Sequence, residues 1–269
     1  MGRRHETISF LSDYGLVDEF VGVVHSVVRS LAPHVTVVDL THGVPRHDVR
    51  AGSLALVRSV QYLAPGVVLA VVDPGVGTDR RAVAVEVAGG EAVFVGPDNG
   101  LLAPAVALVG GATGAVELTD PDHQLPAPGP TFAGRDVFAP AAAHLCNGVD
   151  PADLGPEVDP VTLRPGILPL SREEEGRLVG EVLWVDGFGN VQLNVAPDEI
   201  EAMGDRVTLR WGADQVRTAR RAAAYGALKG GEVGLVVDSY GLVSVALDRR
   251  SAAEELRLRP GDAVTLEAP

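Results

Sequence analysis

One cysteine, few aromatics, no long apolar run and a deficit of positive charge set the first limits on this 269-residue chain. Cys146 stands alone, so no intrachain disulfide can form and no thiolate metal cluster is available. Its Ala-rich, helical-looking surroundings suit a buried structural thiol. Phe, Trp and Tyr make up 4% of the residues, so aliphatic side chains must fill the core. The formal net charge of −14 argues against nucleic acids and anionic membranes as partners, because their phosphates would be repelled. No window reaches the ~18 uninterrupted apolar residues of a membrane span. The opening MGRRHETISFLSD lacks an apolar stretch of signal-peptide length, and Glu6 stands where an acylation motif wants Ser or Thr. The expectation is a soluble, cytoplasmic protein.

Several catalytic signatures are also missing. Gly75-Val76-Gly77 lacks the downstream glycine of a dinucleotide fingerprint, and no Gly-Lys-Ser/Thr phosphate loop occurs. No GxSxG elbow is present. The histidines at 5, 25, 34, 42, 47, 123 and 144 form no HxH or HExxH pair, so a zinc site would need ligands from several distant loops. No metal and no cofactor is expected.

What is there is patterned. Residues 7–11, 35–40, 67–72, 82–87 and 92–95 are short apolar, β-branched runs, and 115–118 extends the series. Residues 17–31 and 48–62 alternate with them as amphipathic helices, with Asp18 and Glu19 in the first turn of the former. Residues 103–115 and the stretch after Asp136 also read as helical. This order predicts a doubly wound, largely parallel α/β domain over residues 1–150. A Pro/Asp-rich linker is expected over 151–177. Residues 178–269 then hold short β-type runs at 178–185, 191–195, 206–211, 232–237, 242–247 and 263–266, the pattern of a smaller all-β barrel. A helical turn fits 197–202.

Polar residues gather at strand ends. Asp73 follows a buried strand, and Pro74, Gly75 and Gly77 turn the chain back so that Asp73 and Arg80 face one site, as an ion pair that closes a turn or as chemistry. Asp13 follows the first strand, where a carboxylate can grip a ribose diol or cap the next helix. Asp98-Asn99-Gly100 reads as a turn. Asp186-Gly187-Phe188-Gly189-Asn190 joins two strands and places an aromatic ring between glycines, where a flat ligand could stack. Asp238-Ser239-Tyr240-Gly241 is a similar loop.

Taken in order, SDYG, VVDLTHGVP, VVDPGVGTDRR, GPDNGLL, TFAGRDVFAPAAAHL, DGFGNVQLN and DSYGLVSVA resemble the S-adenosyl-L-methionine (SAM) hydroxide adenosyltransferases, adenosine-forming relatives of the fluorinase and chlorinase. The resemblance implies hydrolysis of SAM to adenosine and L-methionine, with SAM as substrate rather than cofactor. It also implies a homotrimer whose sites lie between subunits. It assigns Asp13 to the ribose hydroxyls, with His47 packed close to them. Phe188 and Asn190 go to the adenine with Tyr225 near, and Asp186 and Ser239 to the methionine amino and carboxylate groups. Phe132 and Tyr240 complete the binding set. Asp73 and Arg80 match two members of the water-handling set. The third is a histidine in TFHGRD, and here Ala133 stands in its place. Either the chain is a natural member that manages without that histidine or the alanine was introduced; both imply reduced turnover. Two alternatives remain: a SAM-dependent halogenase, against which Asp73 argues because the resembling halogenases carry Tyr there, and a non-catalytic SAM- or adenosine-binding protein.

Overall fold

The computed structural model describes residues 2–269, in two compact units that divide between Ile167 and Leu168. The first runs β1 (Thr7–Ser12), α1 (Phe20–Leu31), β2 (Thr36–Thr41), α2 (Val49–Ser59), β3 (Val67–Val71), β4 (Ala82–Val87), β5 (Ala92–Pro97), α3 (Ala103–Leu108), β6 (Ala112–Glu117) and α4 (Ala139–Cys146). Its sheet has the order β2-β1-β3-β5-β4-β6. β1 is parallel to β2 and β3, and β3 to β5, so the carboxyl ends of these strands lie along one edge. β3 is buried along its whole length, as its unbroken VVLAV run requires between two helical layers.

The helices cover both faces. Ile8, Phe10 and Leu69 share a core with Val24 and Val28 of α1 and with α4, whereas Leu11, Val68 and Ala70 face Leu56 of α2 and Ala105 of α3. Each fully buried Val or Leu in these layers contributes about 1.5–3 kcal/mol. Cys146 lies in the first core, and burial pushes its thiol up to about 12.

One strand direction and two helix boundaries add to or differ from the sequence pattern. β4 runs antiparallel to both neighbours. Only residues 88–91 join it to β5, far fewer than the dozen or so a parallel crossover needs. α1 starts at Phe20, with Glu19 before it and no acidic residue in its first turn; Leu16 and Val17 lie outside it, 80% and 93% exposed. The apolar stretch after 103 stays helical only to Leu108, because Gly110 and Gly111 take positive φ and release the chain into β6.

Residues after Asp150 stay with the first unit. Leu154 is buried in its core, and the Glu117 and Val158 amides donate to the carbonyls of Pro156 and Ala115.

The second unit comprises β7 (Arg172–Glu174), β8 (Arg177–Val185), β9 (Val191–Leu193), β10 (Arg206–Trp211), β11 (Gln215–Ala222), β12 (Val233–Val237), β13 (Val243–Leu247), α5 (Ala252–Leu256) and β14 (Ala263–Glu267). Pairing of β14 with β8 closes β8-β14-β10-β11-β12-β13-β9 into a seven-stranded barrel, with β7 appended to β8. Residues 198–203 form a 3₁₀ turn. β11 has no counterpart in the sequence pattern, because QVRTARRA buries only Ala219 fully and faces solvent with most of the rest. Among the described residues no helix is long and apolar enough to cross a membrane.

Candidate active site

The parallel edge of the first sheet carries a pocket of about 360 Å³, lined among others by Asp13, His47, Asp73, Phe132 and Ala133. Asp13 follows β1, Asp73 follows β3, and Phe132 and Ala133 precede a π-helical turn, Gly134–Phe138, that leads into α4. Such turns interrupt helical hydrogen bonding and recur at functional sites.

Asp73 and Arg80 form a bidentate pair: Arg80 Nε donates to Asp73 Oδ1 at 3.0 Å and Nη2 donates to Oδ2. The two side chains are 6% and 12% exposed, and the guanidinium lies 5.3 Å from the buried Phe138 ring centroid. Burial raises the Asp73 pKa above the ordinary carboxylate value, against the opposing pull of Arg80 and the Gly75 amide. Arg80 sits behind Asp73 rather than on the pocket wall. Asn99 braces the same corner by donating to the Val72 carbonyl at 2.9 Å. Asp98 is structural: its carboxylate accepts from Arg81 Nε at 2.9 Å and from the Arg164 amide at 2.7 Å.

Asp13 does not cap α1, which starts at Phe20. Its Oδ2 accepts from the His47 amide at 2.8 Å. His47 holds φ at +66°, a left-handed conformation that is costly for a side-chain-bearing residue and commonest at ligand sites. Tyr14, Phe20 and Phe132 make edge and tilted ring contacts at 5.6, 5.7 and 5.0 Å, an aromatic wall beside Ala133. A side chain at Gly134 would strike the Tyr14 hydroxyl. Burial drives the Tyr14 pKa far up, so that hydroxyl stays a neutral donor.

The barrel carries a second pocket, of about 850 Å³, and all the remaining expected residues line it: Asp186, Phe188, Asn190, Tyr225, Ser239 and Tyr240. Asp186 organises the β8–β9 connection. Its Oδ1 accepts from the amides of Phe188 at 2.9 Å and Asn190 at 2.8 Å, and its Oδ2 from the Asn190 side chain at 2.8 Å. Gly189 sits at φ +83° against Ser251, a place no Cβ could occupy. The outcome is a Phe188 ring that is 84% exposed. Asp238 plays the same part in its own loop, accepting from Gln192 Nε2 at 2.6 Å, Ser244 Oγ at 2.9 Å and the Tyr240 amide at 2.9 Å.

Tyr14 and Phe20 in the first pocket, and Trp184, Gln192 and Arg250 in the second, lie outside the set expected from the sequence. Strand periodicity holds a signal for two of these, since residues two before Asp186 and two after Asn190 share its face.

Residues 8–155 match the family model described as the SAM hydroxide adenosyltransferase N-terminal domain, and residues 180–265 match that of the C-terminal domain. A protein from Salinispora tropica named (R)-S-adenosyl-L-methionine hydrolase is 45% identical over 97% of each chain. A fluorinase from Actinopolyspora mzabensis is 29% identical over 96% of this chain and 95% of its own. A crystal structure of an uncharacterized conserved protein from Thermotoga maritima superposes with a TM-score of 0.88 at 32% identity, covering 97% of this chain and 99% of that one.

Proposed function

The chain belongs to the SAM hydroxide adenosyltransferase family, and on that premise we propose that it hydrolyses SAM to adenosine and L-methionine. The observation that carries this reading is Asp73 at the wall of the pocket that also holds Asp13, with the buried Arg80 guanidinium paired to it from behind. A sulfonium is already a good leaving group and needs no acid. The protein has to supply a water aligned with the C5′–S bond, held out of bulk solvent. The Asp73 carboxylate accepts from that water, and the Arg80 charge favours its hydroxide character. The water oxygen bonds to C5′ as the C5′–S bond breaks, its proton passes to the Asp73 carboxylate, and the sulfur leaves as the neutral thioether of methionine.

Asp13 holds the ribose hydroxyls while His47 packs beside them. Phe188 stacks on the adenine, Asn190 hydrogen-bonds it, and Tyr225 and Tyr240 close around it. Asp186 and Ser239 take the methionine amino and carboxylate groups; a carboxylate offers about four lone-pair sites, so the three loop bonds leave Asp186 room for an ammonium. The two pockets meet in a homotrimer, the first unit of one subunit facing the barrel of the next. Exposure of Leu16, Val17 and Phe188 in the single chain supports such an assembly. The acting protein is cytoplasmic and binds neither nucleic acid nor membrane. Ala133 offers no proton acceptor where the family reads histidine, so turnover is slow.

The test is incubation with SAM in heavy-oxygen water. Adenosine carrying the label in its 5′-hydroxyl, with unlabelled methionine, is expected. A 5′-halo-adenosine in chloride or fluoride buffer would mark a halogenase. SAM bound tightly with no adenosine after a stoichiometric incubation would mark a binding protein, the reading that Ala133 favours if the chemistry fails.

A further inference from the structure

Three potential metal ligands, scattered over the sequence, converge outside both pockets. His25 on α1, Asp39 on β2 and His42 just after β2 each present one donor atom, all within 4.8 Å of one another. His25 Nε2 lies 2.8 Å from Asp39 Oδ1, and His42 Nε2 lies 3.0 Å from the same oxygen. Tetrahedral coordination with bonds of about 2.0 Å spaces its ligand atoms about 3.3 Å apart, so the two His–Asp spacings need open only slightly to admit an ion.

His42 gives the independent observation. Its side chain is 4% exposed, and its Nε2 makes no hydrogen bond despite the nearby carboxylate. The nitrogen therefore lies off the line an N–H···O bond requires, and a buried ring nitrogen without a partner is costly. The other face of the ring is fixed: Nδ1 lies 2.8 Å from Ser12 Oγ, and the ring packs edge-on to Phe10 at 4.6 Å. Ser12 is fully buried and its oxygen also accepts from the Tyr14 amide. In the tautomer whose Nδ1–H donates to Ser12, Nε2 presents its lone pair on the side of Asp39. A cation seated between them would take both the Nε2 lone pair and the Asp39 carboxylate as ligands. Metal-bound histidines characteristically have their other nitrogen held in this way.

We propose that His25, Asp39 and His42 form a binding site for one divalent transition-metal ion of the zinc class. Two imidazoles and one carboxylate suit zinc, nickel or copper(II), and are a poor set for magnesium or calcium, which take oxygen ligands. Asp39 and His25 are 43% and 35% exposed at the side chain, so the ion is reached from solvent and completes its shell with water. The site is structural in consequence. It fastens α1 to β2 and to the following loop, and through Ser12 it steadies the strand end that presents Asp13.

The test is titration of chelator-stripped full-length protein with Zn²⁺ against a chromophoric competitor, with Mg²⁺ as control. One zinc per chain is expected, with a rise in Tm on zinc and none on magnesium. Co²⁺ should give visible d–d absorption. His25→Gln keeps the helix and a polar side chain, so the protein stays folded; it and Asp39→Asn should each weaken zinc binding beyond the ~10–100-fold that loss of an outer hydrogen-bond partner costs. No zinc binding, or binding unchanged in both variants, would overturn the proposal, the latter placing the ion on other histidines.

Discussion

Arg80 meets Asp73 with two parallel donors across a loop that separates them by seven positions, and both side chains are nearly excluded from solvent. A pair buried this deeply is destabilising to break from one side only. Arg80→Met should cost about 3–5 kcal/mol, because it strands the carboxylate. The double variant Asp73→Asn/Arg80→Met should recover much of the lost stability and none of the activity. Thermal or urea unfolding of the set separates the pair's structural role from its chemical one; full recovery of adenosine release in the double variant would contradict the chemical one.

How far the sequence announces this arrangement depends on distance along the chain. The loop from Asp73 to Arg80 is local, punctuated by Pro and Gly, and its facing of two charges can be read directly. β3 is legible because an apolar run too short for a helix has few places to go. β11 is not legible, since Arg217, Arg220 and Arg221 give it a solvent-facing surface with little hydrophobic alternation, and closure of the barrel rather than its own propensity makes it a strand. The antiparallel β4 follows from a loop length whose meaning emerges only once both flanking strands are fixed. The same rule separates the two candidate sites. The pocket residues sit within named loops, whereas His25, Asp39 and His42 share no motif and are brought together by α1 packing over the edge of the sheet.

Ala133 yields the second prediction. A methyl group there neither orients a water nor accepts its proton, while Phe132 and the Gly134–Phe138 turn around it are in place. Ala133→His should raise the rate of adenosine formation ~10²–10⁴-fold with little change in SAM affinity. Single-turnover assays with both proteins measure it. An unchanged rate would remove position 133 from the chemistry.

The pH dependence follows from Asp73. Only the ionised carboxylate accepts a proton from water, and burial raises its pKa above the ordinary 3.8. Protonation therefore sets in at a higher pH than for an exposed aspartate, and activity should fall on the acid side with a midpoint above 3.8. A rate–pH profile of the Ala133→His protein gives enough signal to read this. A midpoint at or below the exposed value would show that Asp73 is not the group being titrated.

Acid stability of the barrel has a different source. Glu232 is held down to about 2 by hydrogen bonds from Arg220 and from the Lys229 amide, and Arg220 grips it through Nε at 2.7 Å and Nη2 at 2.9 Å. A carboxylate with a depressed folded pKa contributes stability that is complete above its unfolded value, here 4.5, and is lost as pH falls toward 2. Glu232→Gln should lower stability at neutral pH and flatten its decline through that window. Denaturant midpoints at several pH values test this; parallel curves for the two proteins would exclude the pair as a contributor.

Phe188 owes its exposure to a loop that Asp186 and Gly189 hold open, so position and side chain can be tested apart. Stacking of a base on an aromatic ring is worth about 1–3 kcal/mol by alanine substitution, so Phe188→Ala should raise the Kd for SAM by ~5–150-fold. Phe188→Trp should restore most of the affinity, because it returns a flat ring to the same backbone position. Gly189→Ala leaves the ring intact but drives a methyl into Ser251 at a φ that favours glycine. It should weaken SAM binding through loop displacement, and a Trp at 188 should not rescue it. Calorimetric titration of the three single variants and of the Phe188→Trp/Gly189→Ala double variant distinguishes these cases. Equal affinity in wild type and Phe188→Ala would mean that the adenine lies elsewhere.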